Sequence, residues 1–346
     1  MGTHLVGLDI GTSAIRAAEI KHSRGKGDSF QRFAERILPP GVLDHGELRE
    51  PETLTAELKR MWKQARFHTK HVALAVNGPG ITVRTVELEQ ADTSDGLEEV
   101  IQDMIPMSSD EAIVDYLALE DFIGADGVGM TRFLVVAAPA PEVEQIVEAV
   151  LAAGLIPDRV DLAPIAAARA VAVETASVDE RGSEVIVDLG ASMTSIVVTH
   201  DGGPRLVRIL PGGGDDLTEA LMAELDCDTA EAFMRKSAVD MPSQSYPPES
   251  SGATGVMERH LGKTIEEIVR SIDYYRQTAD AATPTRCLLV GGGARVRGLR
   301  ERLEHDLGIP VVHGDPFARF GAVPVPEEER DQIAHTAAVA IGLAVE

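Results

Sequence analysis

The sequence predicts an α/β fold duplicated into two lobes around a ligand cleft, with a small inserted subdomain, and three observations support this. First, Leu5–Ile20 (LVGLDIGTSAIRAAEI) and Glu184–Thr199 (EVIVDLGASMTSIVVT) form a weak internal repeat that lays Asp9 on Asp188, Gly11 on Gly190 and Ser13 on Ser192. Each copy reads as an apolar strand, a tight Asp-x-Gly turn and a second β-branched strand. That is a hairpin, unlike the strand–loop–helix of a Walker or Rossmann phosphate site. Second, the apolar run Cys287–Val290 leads straight into Gly291-Gly292-Gly293. Third, hydrophobic residues make up 44% of the chain but aromatics only 4%. The core must therefore rest on Val, Leu, Ile and Ala, which suits sheets covered by helices.

The other elements follow from periodicity and punctuation. After the first hairpin come a strand near Phe33–Leu38, a loop at Pro39-Pro40-Gly41, a helix over Glu52–Arg66, and strands over His71–Val76 and Thr82–Leu88. The pattern changes from Ser94 to about Val150: a helix over Leu97–Met104, strands near Ile113–Leu119 and Arg132–Ala137, then a helix over Pro141–Ala153. A further strand ends at Val160–Leu162, and Ile165–Val173 reads as an Ala-rich helix. In the second half, Gly212-Gly213-Gly214 precede a helix over Asp215–Leu225, and Met241–Gly255, rich in Pro, Ser and Gly, reads as a mobile loop. Glu258–Ala279 reads as a long amphipathic helix, and the glycine triplet opens a helix near Val296. A last helix over Asp331–Val345, apolar on several sides, is expected between the lobes, with Glu327–Glu329 as a solvated loop or helix start. The expected division gives residues 1–89 and 151–183 to the first lobe's core and 90–150 to the insert. It gives 184–214 and 286–346 to the second lobe's core and connecting helix, and 215–285 to a helical subdomain.

The formal net charge of −24 repels phosphate backbones and anionic headgroups, which argues against nucleic-acid binding and direct membrane insertion. Membrane association is expected to run through a protein partner. Asp9 interrupts the first apolar run, and no apolar run reaches the roughly eighteen residues of a spanning helix, so the chain is expected in the cytosol. Cys227 and Cys287 lack metal-ligand or C-x-x-C spacing; one disulfide is open to them, but two thiols of a reduced compartment is the preferred reading. The ten histidines contain no H-E-x-x-H set, and no metal beyond Mg2+ is expected.

A phosphate clasp needs main-chain N–H groups that approach anionic oxygens closely, which glycine permits. Gly11 and Gly190 supply that freedom, and Thr12 and Ser13 add hydroxyl donors. Asp9 would repel a phosphate, so its natural role, and that of Asp188, is to hold Mg2+ through water. Arg16 could pair with phosphate oxygens or form a surface salt bridge. Gly291-Gly292-Gly293-Ala294 would let an adenosine lie against the backbone. One D-x-G is usually only a turn; two in register plus a glycine triplet are far more specific. Tyr274 and Tyr275 could flank a nucleotide or pack into the lobe.

In this order and spacing the three loops resemble the actin–chaperone–sugar kinase superfamily, whose fold is the duplicated actin-like (ribonuclease H-like) one. Within it the chain is similar to the PilM family, the actin-like proteins of the type IV pilus inner-membrane platform. The similarity runs collinearly through VGLDIGTSAIRAAEI, PPGVLDHGELREPETL, MIPMSSDEAIVDY, VDLGASMTSIVV, EEIVRSIDYYR, GGGARVRGLRERLEHDLGIPVVHGDPF and AAVAIGLA. The resemblance implies ATP and Mg2+ as ligands, with Asp9 and Asp188 as Mg-linked carboxylates. Phosphate contacts are implied at Gly11, Thr12, Ser13, Gly190 and Ser192, and adenosine contacts at Gly292, Gly293 and Ala294. Arg16, Gly213 and Arg270 complete the expected nucleotide set. The insert resembles the small subdomain shared with the division protein FtsA. The implied partner is a PilN-like bitopic membrane protein, whose cytoplasmic N-terminal peptide docks beside that subdomain. Pilus motor ATPases, the platform protein and self-association are further implied contacts.

Two positions depart from the pattern. Relatives commonly carry Lys where this chain has Arg16, which presents a planar fork instead of a compact ammonium. Heat-shock chaperone ATPases carry a carboxylate just before the Pro of the connecting helix, where this chain has Ala163 before Pro164. ATP hydrolysis is therefore expected to be slow or absent. Two alternatives remain at this stage. A small-molecule kinase would need a base, for which Asp161 and Asp115 are the nearest residues. An FtsA-like division filament is disfavoured by the ending AVAIGLAVE, which has no basic face.

Overall fold

The computed structural model describes residues 2–25, 27–90, 105, 107–108, 111–124, 126–172, 182–242, 252–278 and 281–345. The strands in chain order are β1 Thr3–Ile10, β2 Ala14–Ser23, β3 Gly27–Ile37, β4 Leu43–Asp44, β5 Glu47–Leu48, β6 His71–Val76, β7 Thr82–Glu89 and β8 Ala112–Ile123. They continue with β9 Gly129–Pro139, β10 Ile156–Leu162, β11 Ser183–Leu189, β12 Met193–His200, β13 Gly203–Pro211, β14 Pro284–Val290 and β15 Val311–His313. The helices are α1 Pro51–Ala65, α2 Ala140–Ala152, α3 Ala163–Val171, α4 Gly214–Leu225, α5 Thr229–Ala238, α6 Gly252–Arg276, α7 Leu299–Leu307 and α8 Glu327–Ala344.

The repeat read from the sequence is a repeat of topology. One sheet runs β10-β6-β1-β2-β3 and the other β15-β14-β11-β12-β13. In each, the first hairpin strand pairs antiparallel with its successor and parallel with a later strand on its other side. The crevice beyond the carboxyl ends of parallel strands is where such sheets take ligands. Here both Asp-x-Gly turns lie at that end.

Helix α1 starts on Pro51, whose missing N–H costs nothing at a first helical position. Its Leu54, Leu58 and Met61 fall on one face and join Val6, Leu8, Val72 and Leu74 in the first lobe's core. Helix α8 sits between the lobes through its apolar second half, which is buried from Thr336 to Ala344. It packs so closely that a Cβ on Gly7 would lie 1.9 Å from the Ala340 carbonyl oxygen, and one on Gly342 1.7 Å from that of Ala166. Arg169 donates to the Gly342 carbonyl at 2.8 Å and Arg159 to that of Leu343 at 2.6 Å, satisfying the last turn of α8 with positive charge. Under the first sheet, fully buried Glu19 accepts from His4 (2.8 Å) and His68 (3.1 Å) and pairs with Arg32 (3.0 Å).

Several elements differ from expectation. Strand β3 starts at Gly27, six residues before the expected Phe33. Helix α6 already runs from Gly252, so the end of the supposed mobile loop is helical; its residues 243–251 lie outside the described residues, as do Leu97–Met104, Val173 and Ala279. The glycine triplet opens a short 3-10 turn, Gly292–Arg295, and α7 begins only at Leu299. Strand β13 and helix α5 had no counterpart in the sequence reading. Strand β7, expected with the first lobe, pairs with β9 in a separate sheet β7-β9-β8, because Val86 and Leu88 pack on Phe133 and Val135. Conversely α2, expected in the insert, buries Ile146, Ala149 and Val150 against the first lobe's core. The small sheet also reaches the second lobe, where Arg205 of β13 pairs with Glu120 of β8 at 2.6 Å.

Candidate functional site

Each Asp-x-Gly turn is closed by the same main-chain bond: Gly11 N–H donates to the Ala14 carbonyl at 3.0 Å, and Gly190 N–H to that of Met193 at 2.9 Å. The turns face each other, and the Thr12 and Ser192 hydroxyls meet at 2.6 Å. Helix α4 seats its first turn on the second loop, with Gly214 N–H on the Gly190 carbonyl (3.0 Å) and Asp215 N–H on that of Ala191 (2.7 Å). Gly213 has no room for a side chain, since a Cβ would lie 2.5 Å from the Ala191 oxygen. Gly291, at φ 89°, packs against Asp188, and a Cβ there would lie 2.3 Å from Oδ1. The glycine loop and the second Asp-x-Gly loop therefore form one wall.

The cavity between the lobes has a volume of about 800 Å³. Of the residues singled out from sequence, Asp9, Gly11, Thr12, Ser13, Arg16, Asp188, Gly190, Ser192, Gly292 and Gly293 line it. Gly213 and Ala294 stand one residue behind the wall, next to Gly214 and Gly293. Arg270 does not join the site: its side chain is 66% exposed and pairs with Glu267 one turn back at 2.5 Å. The buried stripe Ile265, Ile268, Ile272 turns that position of α6 to solvent. Tyr275 packs in the second lobe's core and Tyr274 is exposed, so neither reaches the cleft. Cys227 and Cys287 are free thiols, and burial pushes that of Cys287 up to about 12.

Charge in the cleft is unbalanced. Burial raises the Asp9 pKa to about 6 against the pull of Arg16. Burial and then the repulsion of Asp9 raise Asp188 to about 7. Arg16 stays 4.0 Å from Asp9 and is held by Glu35 at 2.8 Å, so it only partly neutralises the pair. Two desolvated carboxylates with too little counter-charge are a donor set suited to a hard divalent cation. Ala163 lines the cavity. Asp161, by contrast, is tied to Arg169 at 2.9 Å, and exposed Asp115 lies on β8 away from the cleft.

Among the lining residues that the sequence reading missed are Asn77 beyond β6, Phe233, Lys236 and Ser237 of α5, Arg295 and Arg297 after the glycine loop, and His335 and Thr336 of α8. Phe233 is 61% exposed, unusual for a phenylalanine, and the Lys236 ammonium lies 5.7 Å from its ring centre. Lys236 also donates to the Gly214 carbonyl, and burial lowers its pKa against the pull of Asp215 and Asp216. A local signal for α5 was present: Asp228 caps it by accepting from Glu231 N–H at 2.8 Å, the first half of a D-x-x-E capping pattern. At the other end, the His335 carbonyl accepts from Gly291 N–H at 2.6 Å, and its ring stands edge-on to His313 at 4.6 Å.

Comparison with known proteins agrees with this architecture. The structure solved as the PilM–PilN type IV pilus biogenesis complex covers 98% of this chain and 97% of that chain, with a TM-score of 0.82 and 25% identity. MreB5 of Spiroplasma citri bound to ADP (TM-score 0.57, 12% identity, 98% and 94% coverage) has the same fold. So does the ethanolamine utilization protein EutJ of Carboxydothermus hydrogenoformans (TM-score 0.56, 16% identity, 99% and 89% coverage). The fold is actin-like. Among curated relatives, cell division protein FtsA of Pseudomonas aeruginosa is 23% identical over 363 aligned positions, covering 94% of this chain and 86% of FtsA. FtsA of Neisseria meningitidis is 24% identical over 277 positions, 70% of this chain, and the match spans only 64% of that relative's length. The family described as type IV pilus assembly protein PilM matches residues 7–346, and the chain belongs to that family.

Proposed function

We propose that this protein is an ATP-binding brace of the type IV pilus assembly platform, which binds the cytoplasmic N-terminal peptide of a PilN-like bitopic membrane protein. The observation that carries the nucleotide reading is the facing pair of Asp-x-Gly loops, joined through Thr12 and Ser192, with Asp9 and Asp188 behind them. In this reading the loops' N–H and hydroxyl groups hold the phosphates. Asp9 and Asp188 hold Mg2+ through water, and the cation relieves the charge imbalance that raises their pKa values. Gly292, Gly293 and Ala294 back the adenosine, and Phe233 and Lys236 of α5 face it across the cleft. A ligand that touches both lobes favours the closed state by its differential affinity.

The peptide reading rests on family membership and on the likeness to a solved PilM–PilN complex. Docking on a membrane partner would keep this acidic chain, in the cytosol, at the inner membrane without lipid contact. No described helix is long and apolar enough to cross a membrane. Calorimetric titration with ATP and Mg2+, followed by the partner's N-terminal peptide with and without nucleotide, tests both halves. Failure to bind ATP sinks the brace, and failure to bind the peptide in either state sinks the partner reading. Steady-state turnover above about one per second would contradict a brace.

A further inference from the structure

Asn77 leaves the end of β6 with its side-chain oxygen buried and without a hydrogen-bond partner among the described residues. A buried amide oxygen in that state is costly and calls for a guest. Its position shows which guest. The parallel register pairs Val76 with Leu162, so Asn77 and Ala163 are the next residues to leave two neighbouring strands, which lie about 4.8 Å apart. On the other side of β6 runs β1, with Leu8 opposite Leu74, and its end carries Asp9. Asn77 therefore leaves the sheet between the strand that presents a cleft carboxylate and the strand that ends in a bare methyl group. All three residues line one cavity.

The loop is also held in place. A Cβ on Gly46, between β4 and β5, would lie 2.0 Å from the Asn77 carbonyl oxygen, so that hairpin abuts the main chain at Asn77. Gly78 closes a turn by accepting from Ile81 N–H at 3.2 Å. A positioned acceptor on a restrained backbone is what orienting a small reactant requires.

We propose that Asn77 orients the water that attacks the terminal phosphate of the bound nucleoside triphosphate, in place of a carboxylate at position 163. This rests on the nucleotide reading above. The water oxygen bonds to the terminal phosphorus as the bond from that phosphorus to the bridging oxygen breaks, giving nucleoside diphosphate and phosphate. The Asn77 amide oxygen accepts a hydrogen bond from the water and takes no proton; the proton passes to a phosphate oxygen. An amide that orients without acting as a base yields slow hydrolysis, as befits a brace.

The test compares wild type, Asn77→Ala and the near-isosteric Asn77→Asp. Binding of a non-hydrolysable ATP analogue with Mg2+ is measured by calorimetry, and phosphate release under single-turnover conditions. Asn77→Ala should bind the analogue within about threefold of wild type and release phosphate at least about tenfold more slowly. Asn77→Asp, which restores an acceptor, should recover the wild-type rate or exceed it, and it carries the test if the alanine variant misfolds. Independently of turnover, asparagine-selective 15N labelling should show the Asn77 side-chain amide shifting with the triphosphate analogue and not with ADP. Equal release by wild type and Asn77→Ala overturns the proposal, as does a wild type that binds ATP and never cleaves it. A wild type that does not bind ATP instead removes the nucleotide reading and, with it, this one.

Discussion

The Thr12 and Ser192 hydroxyls lie 2.6 Å apart, joining residues 180 positions distant in the chain and one lobe to the other at the point where their matching turns meet. A single such bond contributes about 1 kcal/mol. It is enough to bias two lobes toward closure and weak enough for a ligand to replace. Thr12→Val and Ser192→Ala should each lower the melting temperature without ligand by only a few degrees. Both should weaken ATP binding more than they weaken the fold. Paired melts with and without ATP and Mg2+ check this, and equal losses in both conditions would contradict it.

The carboxylates of Asp9 and Asp188 give a pH dependence of definite sign. Their folded-state pKa values, about 6 and about 7, lie above the ordinary 3.8, so the folded state binds the extra protons. Their contribution to stability is full below about pH 4 and is lost as pH rises through 6 and 7. Asp188→Asn should therefore melt higher than wild type at pH 8 in the absence of divalent cation, with the gain shrinking toward pH 5. The same variant should lose the stabilisation that Mg2+ and ATP confer on wild type. Melting curves across pH, with chelator and with Mg2+, read both effects.

Gly342 packs on the Ala166 carbonyl with no space for a side chain. Gly342→Val must push α8 off α3, and overpacking of this kind costs about 1–3 kcal/mol or more. Urea unfolding should show an earlier midpoint, whereas Gly308→Ala, at an open helix end, should cost about 1 kcal/mol through its backbone conformation alone.

Arg302 is 2% exposed and donates to both oxygens of Glu258 (2.9 and 3.0 Å) and to Asp306 (2.6 Å). Arg302→Met strands a buried carboxylate and should destabilise the second lobe by about 3–5 kcal/mol. Adding Glu258→Met should recover much of that loss, because the buried carboxylate is then gone and only the more exposed Asp306 is left without its arginine. A double-mutant cycle in urea measures the coupling.

Phe233, exposed at the cleft beside Lys236, should matter to the base and not to the phosphates. Phe233→Ala should lower affinity for ATP by up to about tenfold, in line with one aromatic contact, and leave inorganic triphosphate binding unchanged. Calorimetry with both ligands distinguishes the two.

Much of this architecture is legible in the residue order. Strand β6 and helix α1 can be read to within a residue, and both Asp-x-Gly hairpins are evident, because turn chemistry and apolar periodicity act over a few neighbouring residues. The repeat even links Asp9 with Asp188, since duplicated topology leaves duplicated spacing. What no local pattern contains is which face of an element turns toward the cleft. Arg270 sits in a stretch that looks like its relatives', yet the stripe Ile265–Ile268–Ile272 buries the opposite side of α6 and sends that guanidinium to solvent. Phe233 and Lys236 lie on a short polar helix with no obvious role until α5 is seen beside the second loop. Asn77 is one polar residue among turn glycines until the parallel pairing of β6 with β10 sets it beside Ala163. Hairpins and caps are written in adjacent residues, whereas the meeting of Thr12 with Ser192 depends on α8 and two sheets packing together, a sum of contacts distant in the chain.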